Sequence, residues 1–271
     1  MTEDLLVRRI EETCSGIGVP LTGHEDVLWH VPLHGVTARC STLNDSGLNM
    51  VGLAKLSAES ADSGIAAVVD YYQSQEKLVS WIVGPSSTPQ DLGERLLAHG
   101  FVLDREECMW GMALQPLELA APAPPGITVR RVSADEAAAH QSMMARAYGY
   151  GTTAEGLGAM MRLGAALSPQ AAIYLAWAEG SPSPVGWSFA FFHADGETLV
   201  LDGSATLPTH RHRGVYTAMV AERLRDGRTR GYTTAVVQAV RGTSAPICAQ
   251  LGFRIVCALD MYLWHPRAPR L

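Results

Sequence analysis

Lysine is almost absent from this chain: Lys55 and Lys77 are the only two among 21 basic residues, and the rest are arginine. No apolar run approaches the ~20 residues that cross a bilayer, there is no Cys-x-x-Cys pair, and aromatic side chains make up only 7% of the residues. The missing apolar run and the missing Cys-x-x-Cys pair each remove a class of function. Without a long apolar run no membrane-spanning segment is expected, and the start, Met-Thr-Glu-Asp-Leu-Leu-Val-Arg-Arg, lacks the apolar core of a signal peptide. The cysteines at 14, 40, 108, 248 and 257 are odd in number and unpaired in spacing, which reads as reduced thiols in a cytoplasmic protein. A net charge of −6 and no basic tail give no support to nucleic-acid binding. Metal is not expected either. His30 and His34 stand four apart, but Pro32 lies between them and blocks the helix that would pair them, so His24, His30 and His34 read as ordinary strand and loop residues.

What is present is enough for two cores. The chain has 271 residues and is 47% hydrophobic, more than one typical domain needs. A stiff linker is visible at 118–126, Glu-Leu-Ala-Ala-Pro-Ala-Pro-Pro-Gly, which divides 1–117 from 127–271. After it, Ile127–Val132 reads as a strand, Ala134–Tyr148 as a helix capped by Ser133, and Thr153–Leu167 as a second helix with Leu157, Met160, Met161 and Gly164 on one face. Three strands follow, Ala171–Glu179, Val185–Ala194 and Glu197–Leu207, joined by turns at Ser181–Pro184 and Asp195-Gly196.

The richest segment is Ser204 to Tyr216, Ser-Ala-Thr-Leu-Pro-Thr-His-Arg-His-Arg-Gly-Val-Tyr. A strand runs into Pro208, then a basic turn, then a helix whose apolar residues Val215, Met219, Val220 and Leu224 keep helical spacing up to Gly231. The unpaired N–H groups and the dipole of a helix N-terminus attract an anion, and Arg211 and Arg213 add charge beside it. Gly214 allows close backbone approach. A phosphorylated ligand is the natural occupant.

Arg211-x-x-Gly214-x-Tyr216 resembles the pyrophosphate-binding signature of the GNAT superfamily of acyl-CoA N-acyltransferases. Thr206-Leu207-Pro208 fits that family's splayed strand, Thr233–Ala239 the strand that diverges from it, and Ala245–Phe253 the later segment ending in Leu-Gly-Phe. The resemblance covers nearly all of 127–265. It implies an α/β (α+β) fold of two GNAT-like domains, each a mixed, mostly antiparallel sheet flanked by helices, with a splayed strand pair in the C-terminal one. It also implies a donor bound by the backbone of Ala205, Thr206 and Leu207 and by Arg211, His212, Arg213, Gly214, Val215, Tyr216 and Thr217, with acetyl-CoA or another acyl-CoA, or a carrier-protein pantetheine thioester, as co-substrate. Two positions depart from the pattern. Tyr216 stands where the family prefers Gly or Ala, and Cys248 stands where many members have the tyrosine that protonates the leaving thiolate.

In the first half, Leu78 to Leu92 again runs strand, proline-rich turn, helix, and His99-Gly-Phe101 echoes Leu251-Gly-Phe253. Ser86-Ser-Thr-Pro replaces the basic turn. This reads as a degenerate copy of the same fold, an unrelated small α/β domain being the alternative.

Acyl transfer to an amine needs a base, an oxyanion site and a proton for the leaving thiol. Asp202, Ser204 and Thr206 share a face if the strand alternates regularly, which makes Asp202 the first candidate for base and Ser204 its neighbour. The oxyanion is expected at a backbone N–H near Leu207. Cys248 is the candidate acid, or else a small core residue. Tyr148, Tyr150, Trp187 and His193 are candidates for the acceptor pocket. Arg223, Arg225, Arg228 and Arg230 read as a solvated helix face, or as a docking surface for an acidic acyl carrier protein. The expected function is N-acyl transfer from a pantetheine thioester to the amine of a small-molecule acceptor, with no nucleic-acid or membrane partner; the alternative is a catalytically silent acyl-CoA-binding sensor or carrier.

Overall fold

In the computed structural model, which describes residues 1–13, 28–120, 122, 124–148 and 170–266, strand and helix alternate through two separate cores. The elements in chain order are α1 (Glu3–Glu12), β1 (Leu28–Val31), β2 (Thr37–Ser41), β3 (Met50–Gly52), α2 (Ala61–Ser74), β4 (Val79–Val83), α3 (Leu92–Ala98), β5 (Val102–Leu103) and β6 (Met109–Leu114). Then come β7 (Ile127–Val132), α4 (Ala134–Ala138), α5 (Gln141–Tyr148), β8 (Ala171–Ala178), β9 (Gly186–Phe192), β10 (Thr198–Thr206), α6 (Val215–Thr229), β11 (Thr234–Val240), α7 (Ser244–Gln250) and β12 (Arg254–Trp264). Unit 1 is Met1–Gly111 with Ala239–Ala245 and Val256–Leu271; unit 2 is Met112–Gln238 with Pro246–Ile255. The last strand therefore contributes mostly to the first unit.

In unit 1 the strands lie in the order β1-β2-β3-β4-β12, with β5 also on β12, and only β3 and β4 run parallel. Helix α2 buries Ala61, Ile65, Val68 and Tyr72, a four-three-four spacing that keeps one stripe on the sheet. That stripe packs into a core with Val79, Trp81, Phe101, Tyr262 and Trp264.

In unit 2 the order is β11-β10-β9-β8-β7, and only β10 and β11 run parallel. Strands β8 and β9 are buried along most of their length because both faces are covered. On one face Ile173, Leu175, Trp187 and Phe189 pack with Met143, Met144 and Ala147 of α5. On the other, Ala176 and Val185 pack with Val215 and Met219 of α6. The expected helix over Ala134–Tyr148 is two helices: His140 N–H bonds the Ala137 carbonyl at 2.9 Å, a tight turn that separates α4 from α5. The expected helix at Thr153–Leu167, and residues Cys14, His24 and Tyr150, lie outside the described residues.

Strand β10 does not alternate regularly. Asp202 faces Phe189 and Ser204 faces Ser188, so Gly203 is an extra residue, a bulge. Directly opposed residues share a face, so Asp202 lies on the α5 face with Phe189, and Ser204 on the α6 face with Ser188. The expected common face for Asp202, Ser204 and Thr206 is thereby corrected. Gly203 sits at φ +37, and a Cβ there would stand 3.1 Å from Phe189.

The two units repeat one order of elements. Strand β3, a loop, the 14-residue α2, parallel strand β4, the seven-residue α3 and Gly100-Phe101 match β10, its turn, the 15-residue α6, parallel strand β11, the seven-residue α7 and Gly252-Phe253. Gly100 and Gly252 both have positive φ, and Phe101 and Phe253 each donate to the carbonyl five residues earlier, at Leu96 and Cys248. The counterpart of the basic turn in unit 1 is therefore the loop from Leu53 to Ser60. The proline-rich segment at Ser86–Pro89 follows the second parallel strand instead.

Two outcomes are expected. Gly203→Val strains a positive φ against Phe189 and should lower unfolding free energy by about 1–3 kcal/mol in a denaturant titration; an unchanged midpoint contradicts the bulge. In the β9–β10 turn, burial works to raise the Asp195 pKa, but the Glu197 and Thr198 N–H groups, the Thr198 hydroxyl and His193 outweigh it and hold it at about 2. A depressed folded pKa stabilises above the unfolded value near ~4 and is lost as pH falls toward 2. Asp195→Asn should thus be less stable than wild type at pH 7, with the deficit closing between pH 4 and 2.

Candidate functional site

Parallel pairing between β10 and β11 holds only from Thr198↔Thr234 to Leu201↔Val237. Beyond it β10 continues to Thr206 and β11 to Val240 without pairing to each other, starting at the Asp202–Gly203 bulge, where a strand bends and twists. This leaves a gap between two parallel strands, with backbone groups on its edge. Leu207 N–H bonds the carbonyl of Val185, the residue just before β9, at 2.8 Å. By the alternation of an antiparallel ladder, the backbone of Ala205 and Leu207 serves β9, and that of Thr206 faces the gap. The Thr206 carbonyl accepts from Arg211 Nε at 3.3 Å. The expected oxyanion donor at Leu207 is thus already used.

The chain leaves the gap through a single 3-10 turn at Pro208–His210, passes His212 at φ +60, and enters α6 at Gly214, φ +77. Gly214 is required there twice over, by its left-handed backbone and because a Cβ would meet Pro124 Cγ at 2.2 Å. Among the described residues no side chain caps α6, so the N–H groups of Val215, Tyr216 and Thr217 open outward with the positive end of a 15-residue helix. Arg211, His212 and Arg213 are exposed around them. The arrangement sets exposed basic side chains and helix N-terminal amides at the mouth of a strand gap.

Inside, α6 turns Tyr216 and Arg223, two turns apart, toward α7 and the sheet. The Tyr216 hydroxyl lies 3.4 Å from Cys248 Sγ. Burial pushes the Tyr216 phenol well above its ordinary value, and Cys248 adds to that rise. Burial raises the Cys248 thiol too, against the opposing pull of Tyr216 and Arg223. Both groups keep their protons at neutral pH. Arg223 is only 1% exposed, which corrects its assignment to a solvated face. Its Nε donates to the Met219 carbonyl at 3.1 Å, and its Nη1 to the carbonyls of Phe189 at 2.9 Å and Asp202 at 3.4 Å. It thus serves the strand carbonyls at the bulge. A long polar residue on the inward stripe of α6 was the sequence signal for this, and the crowd of surface arginines hid it. Arg225 pairs with Glu222, and Arg230 with Asp226 while lying over the Phe192 ring, so a docking face built on these arginines is reduced to Arg228.

The acceptor candidates divide. Tyr148 stacks on Trp187 at 5.6 Å and is 45% exposed, on the same face as Asp202. Trp187 is fully buried and donates to the Met144 carbonyl, a core role. His193 sits in the β9–β10 turn beside Asp195, at the opposite end of β10 from the basic turn. Asp202 is half-buried, with Oδ1 accepting the Gly203 N–H at 2.8 Å. Among the described residues no group of three or more His, Cys, Asp or Glu is placed to hold a metal, and Cys40, Cys108, Cys248 and Cys257 are free and buried.

No protein-family model matches the chain, and no curated protein matches it. Solved structures do. A GCN5-related N-acetyltransferase from Kribbella flavida matches with a TM-score of 0.66 at 18% identity, over 94% of this chain and 96% of its own. A tandem GNAT protein from the clavulanic acid biosynthesis pathway matches with 0.59 at 14%, over 90% and 83%. A GCN5-related N-acetyltransferase from Sphaerobacter thermophilus matches with 0.57 at 20%, over 86% and 78%. The chain has the tandem GNAT fold.

The two GNAT units differ at the gap. In unit 1, β3 and β4 pair at Met50↔Ser80 and Val51↔Trp81, and the segments rejoin further on, where Thr88 N–H bonds Ala54 and Leu56 N–H bonds Thr88. Between these points Glu11 of α1 enters, 5% exposed, and accepts the Ser86 N–H at 3.0 Å. What remains is a cavity of about 10 Å³ between Glu11, Gly52, Leu53, Ile82 and Gly84, room for one water. The loop before α2 has Lys55 and Glu59 but no arginine or glycine. In unit 2, among the described residues, β10 and β11 do not rejoin after Leu201 and Val237, and the turn is basic.

Arg223→Ala abandons the buried Phe189 carbonyl and should cost about 1–3 kcal/mol in chemical unfolding, whereas Arg225→Ala, losing an exposed pair, should cost under ~1. Equal small effects would mean Arg223 is not the bulge's partner.

Proposed function

We propose that this tandem GNAT protein is an N-acyltransferase. Unit 2 takes the pantetheine arm of a thioester into the β10–β11 gap and its pyrophosphate onto the Val215–Thr217 amides, with Arg211, His212 and Arg213 closing on the phosphates and Gly214 giving backbone access. The observation that carries this reading is the coincidence of an opened parallel pair with an uncapped helix N-terminus at its mouth. Each leaves backbone donors that a folded protein ordinarily satisfies, and one extended ligand with an anionic end satisfies both.

The acyl group, acetyl in the simplest donor, passes directly to the amine of a small-molecule acceptor in a ternary complex. Asp202 and Tyr148 lie on the α5 face of the sheet, and the Tyr216–Cys248 pair is carried from the α6 side. A base on one face and protonated groups on the other suit attack by an amine from the first and departure of a thiolate toward the second. Asp202 is the proposed base. Ser204, on the α6 face with Thr206, is placed to line the donor rather than to assist Asp202. The Thr206 N–H is the backbone group proposed for the thioester end of the gap. Acyl-CoA is the favoured donor, because a carrier protein would need the arginine face that ion pairs have taken up. Unit 1, its gap filled by Glu11 and its loop without arginine, is proposed as the degenerate copy that binds no donor.

Calorimetric titration with acetyl-CoA tests this. Binding near one equivalent per chain is expected, weakened at least tenfold in an Arg211→Ala, Arg213→Ala variant. Two equivalents would return the donor role to unit 1. No binding to the wild-type chain contradicts the reading, and binding with no turnover on any amine favours a silent acyl-CoA carrier.

A further inference from the structure

At the mouth of the gap one side chain has two competing uses. Thr206 ends β10, and its N–H and C=O face the gap, since the ladder to β9 is carried by its neighbours and ends with Leu207 N–H on the Val185 carbonyl. Five residues on, Arg211 turns back, and its Nε donates to the Thr206 carbonyl at 3.3 Å. The same Arg211 is one of the exposed cations beside the first amides of α6. We propose that Arg211 decides which class of donor the gap admits: it covers the Thr206 carbonyl until phosphates draw it away, so that thioesters bearing a pyrophosphate enter and neutral pantetheine thioesters are disfavoured. The inference rests on the acyltransferase reading of the same gap and adds a donor-selecting step to it.

The argument is one of exchange. A pantetheine arm carries two amides, and along a free strand edge it pairs as an added strand does, N–H to carbonyl and carbonyl to N–H. Thr206 offers one group of each kind, and Arg211 holds the acceptor. A neutral arm therefore has to displace a charge-assisted hydrogen bond to gain an ordinary one, which favours the arginine. A pyrophosphate reverses the balance, because it gives the guanidinium a planar, bidentate, anionic partner in place of a single carbonyl.

The surroundings leave Arg211 available for that partner. Arg225 and Arg230 are held by Glu222 and Asp226, whereas among the described residues no carboxylate pairs with Arg211, and the first turn of α6 carries no acidic residue. The turn keeps its shape without the side chain: His210 N–H bonds the Leu207 carbonyl at 2.8 Å, and Arg211 N–H the Pro208 carbonyl at 3.4 Å. Moving the guanidinium from carbonyl to phosphate needs only rotation about the bonds of an exposed side chain. Arg213 follows the left-handed His212 and, among the described residues, makes no hydrogen bond to the strand. It is the natural comparison, a cation of the same turn without the second contact.

Amide chemical-shift titration of the full chain tests this with two ligands. One is acetyl-CoA; the other is S-acetylpantetheine, which has the same thioester and both amides but no phosphate. Arg211→Ala should weaken acetyl-CoA about fivefold and tighten S-acetylpantetheine about threefold. Arg213→Ala should weaken acetyl-CoA without tightening the neutral ligand. S-acetylpantetheine bound no more tightly by Arg211→Ala than by wild type overturns the proposal. Tightening of both ligands also overturns it, since Arg211 would then block the gap without holding phosphate. Equal tightening of the neutral ligand in Arg213→Ala does the same, because loss of charge alone would be the cause. A wild-type chain that does not bind acetyl-CoA contradicts the acyltransferase reading itself.

Discussion

Between Leu201 and Thr206 the backbone of β10 leaves its parallel partner, and the chemistry proposed for this protein depends on that departure. A buried strand keeps its N–H and C=O groups paired, because an unpaired buried group costs on the order of 1–3 kcal/mol. Here the bulge at Gly203 turns the strand, and the gap it opens exposes the Thr206 backbone. A few residues later α6 starts without a side-chain cap. Among the described residues the chain leaves unpaired backbone donors at Thr206 and at the start of α6, with arginines beside the second set. Arg223 is the counterweight: its guanidinium gathers carbonyls at the bulge from both strands, so that the strand can bend without abandoning them.

Unit 1 shows what the same frame does without that tension. Its parallel strands diverge after Val51 and Trp81, but the segments rejoin at Thr88, and the Glu11 carboxylate takes the Ser86 N–H that the divergence released. The backbone is satisfied internally. A buried carboxylate at the end of a would-be anion slot also sets the wrong sign of charge, just as Glu59 does at the loop before α2. One order of elements thus serves a filled slot and an open one, and the difference lies in a handful of side chains.

Much of this was legible in the sequence where the signals are local. Pro208, the basic turn and Gly214 mark the end of a strand and the start of a helix within ten residues, and α6 with its Gly231 stop followed from spacing alone. Tertiary choices were not legible. Gly203 inside a strand was a sign of a bulge, yet regular alternation placed Asp202 and Ser204 together. Arg223 belongs to the inward stripe of α6, but five neighbouring arginines made it look like surface. The proline-rich segment after β4 resembled the turn after β10 in its order of strand, proline and helix, while the loop at 53–60 that matches it in topology has no prolines or arginines to draw notice. The meeting of Tyr216 and Cys248, 32 residues apart, depends on how α6 and α7 pack, which no local pattern encodes.

Backbone amide hydrogen exchange with and without acetyl-CoA tests the central claim most directly, because it reads the orphan donors themselves. Saturating donor should slow exchange at Thr206 and at Val215, Tyr216 and Thr217, and leave Leu53–Ser60 of unit 1 unchanged. Protection at the unit 1 loop with none at Val215–Thr217, in a chain that binds the donor, would contradict it.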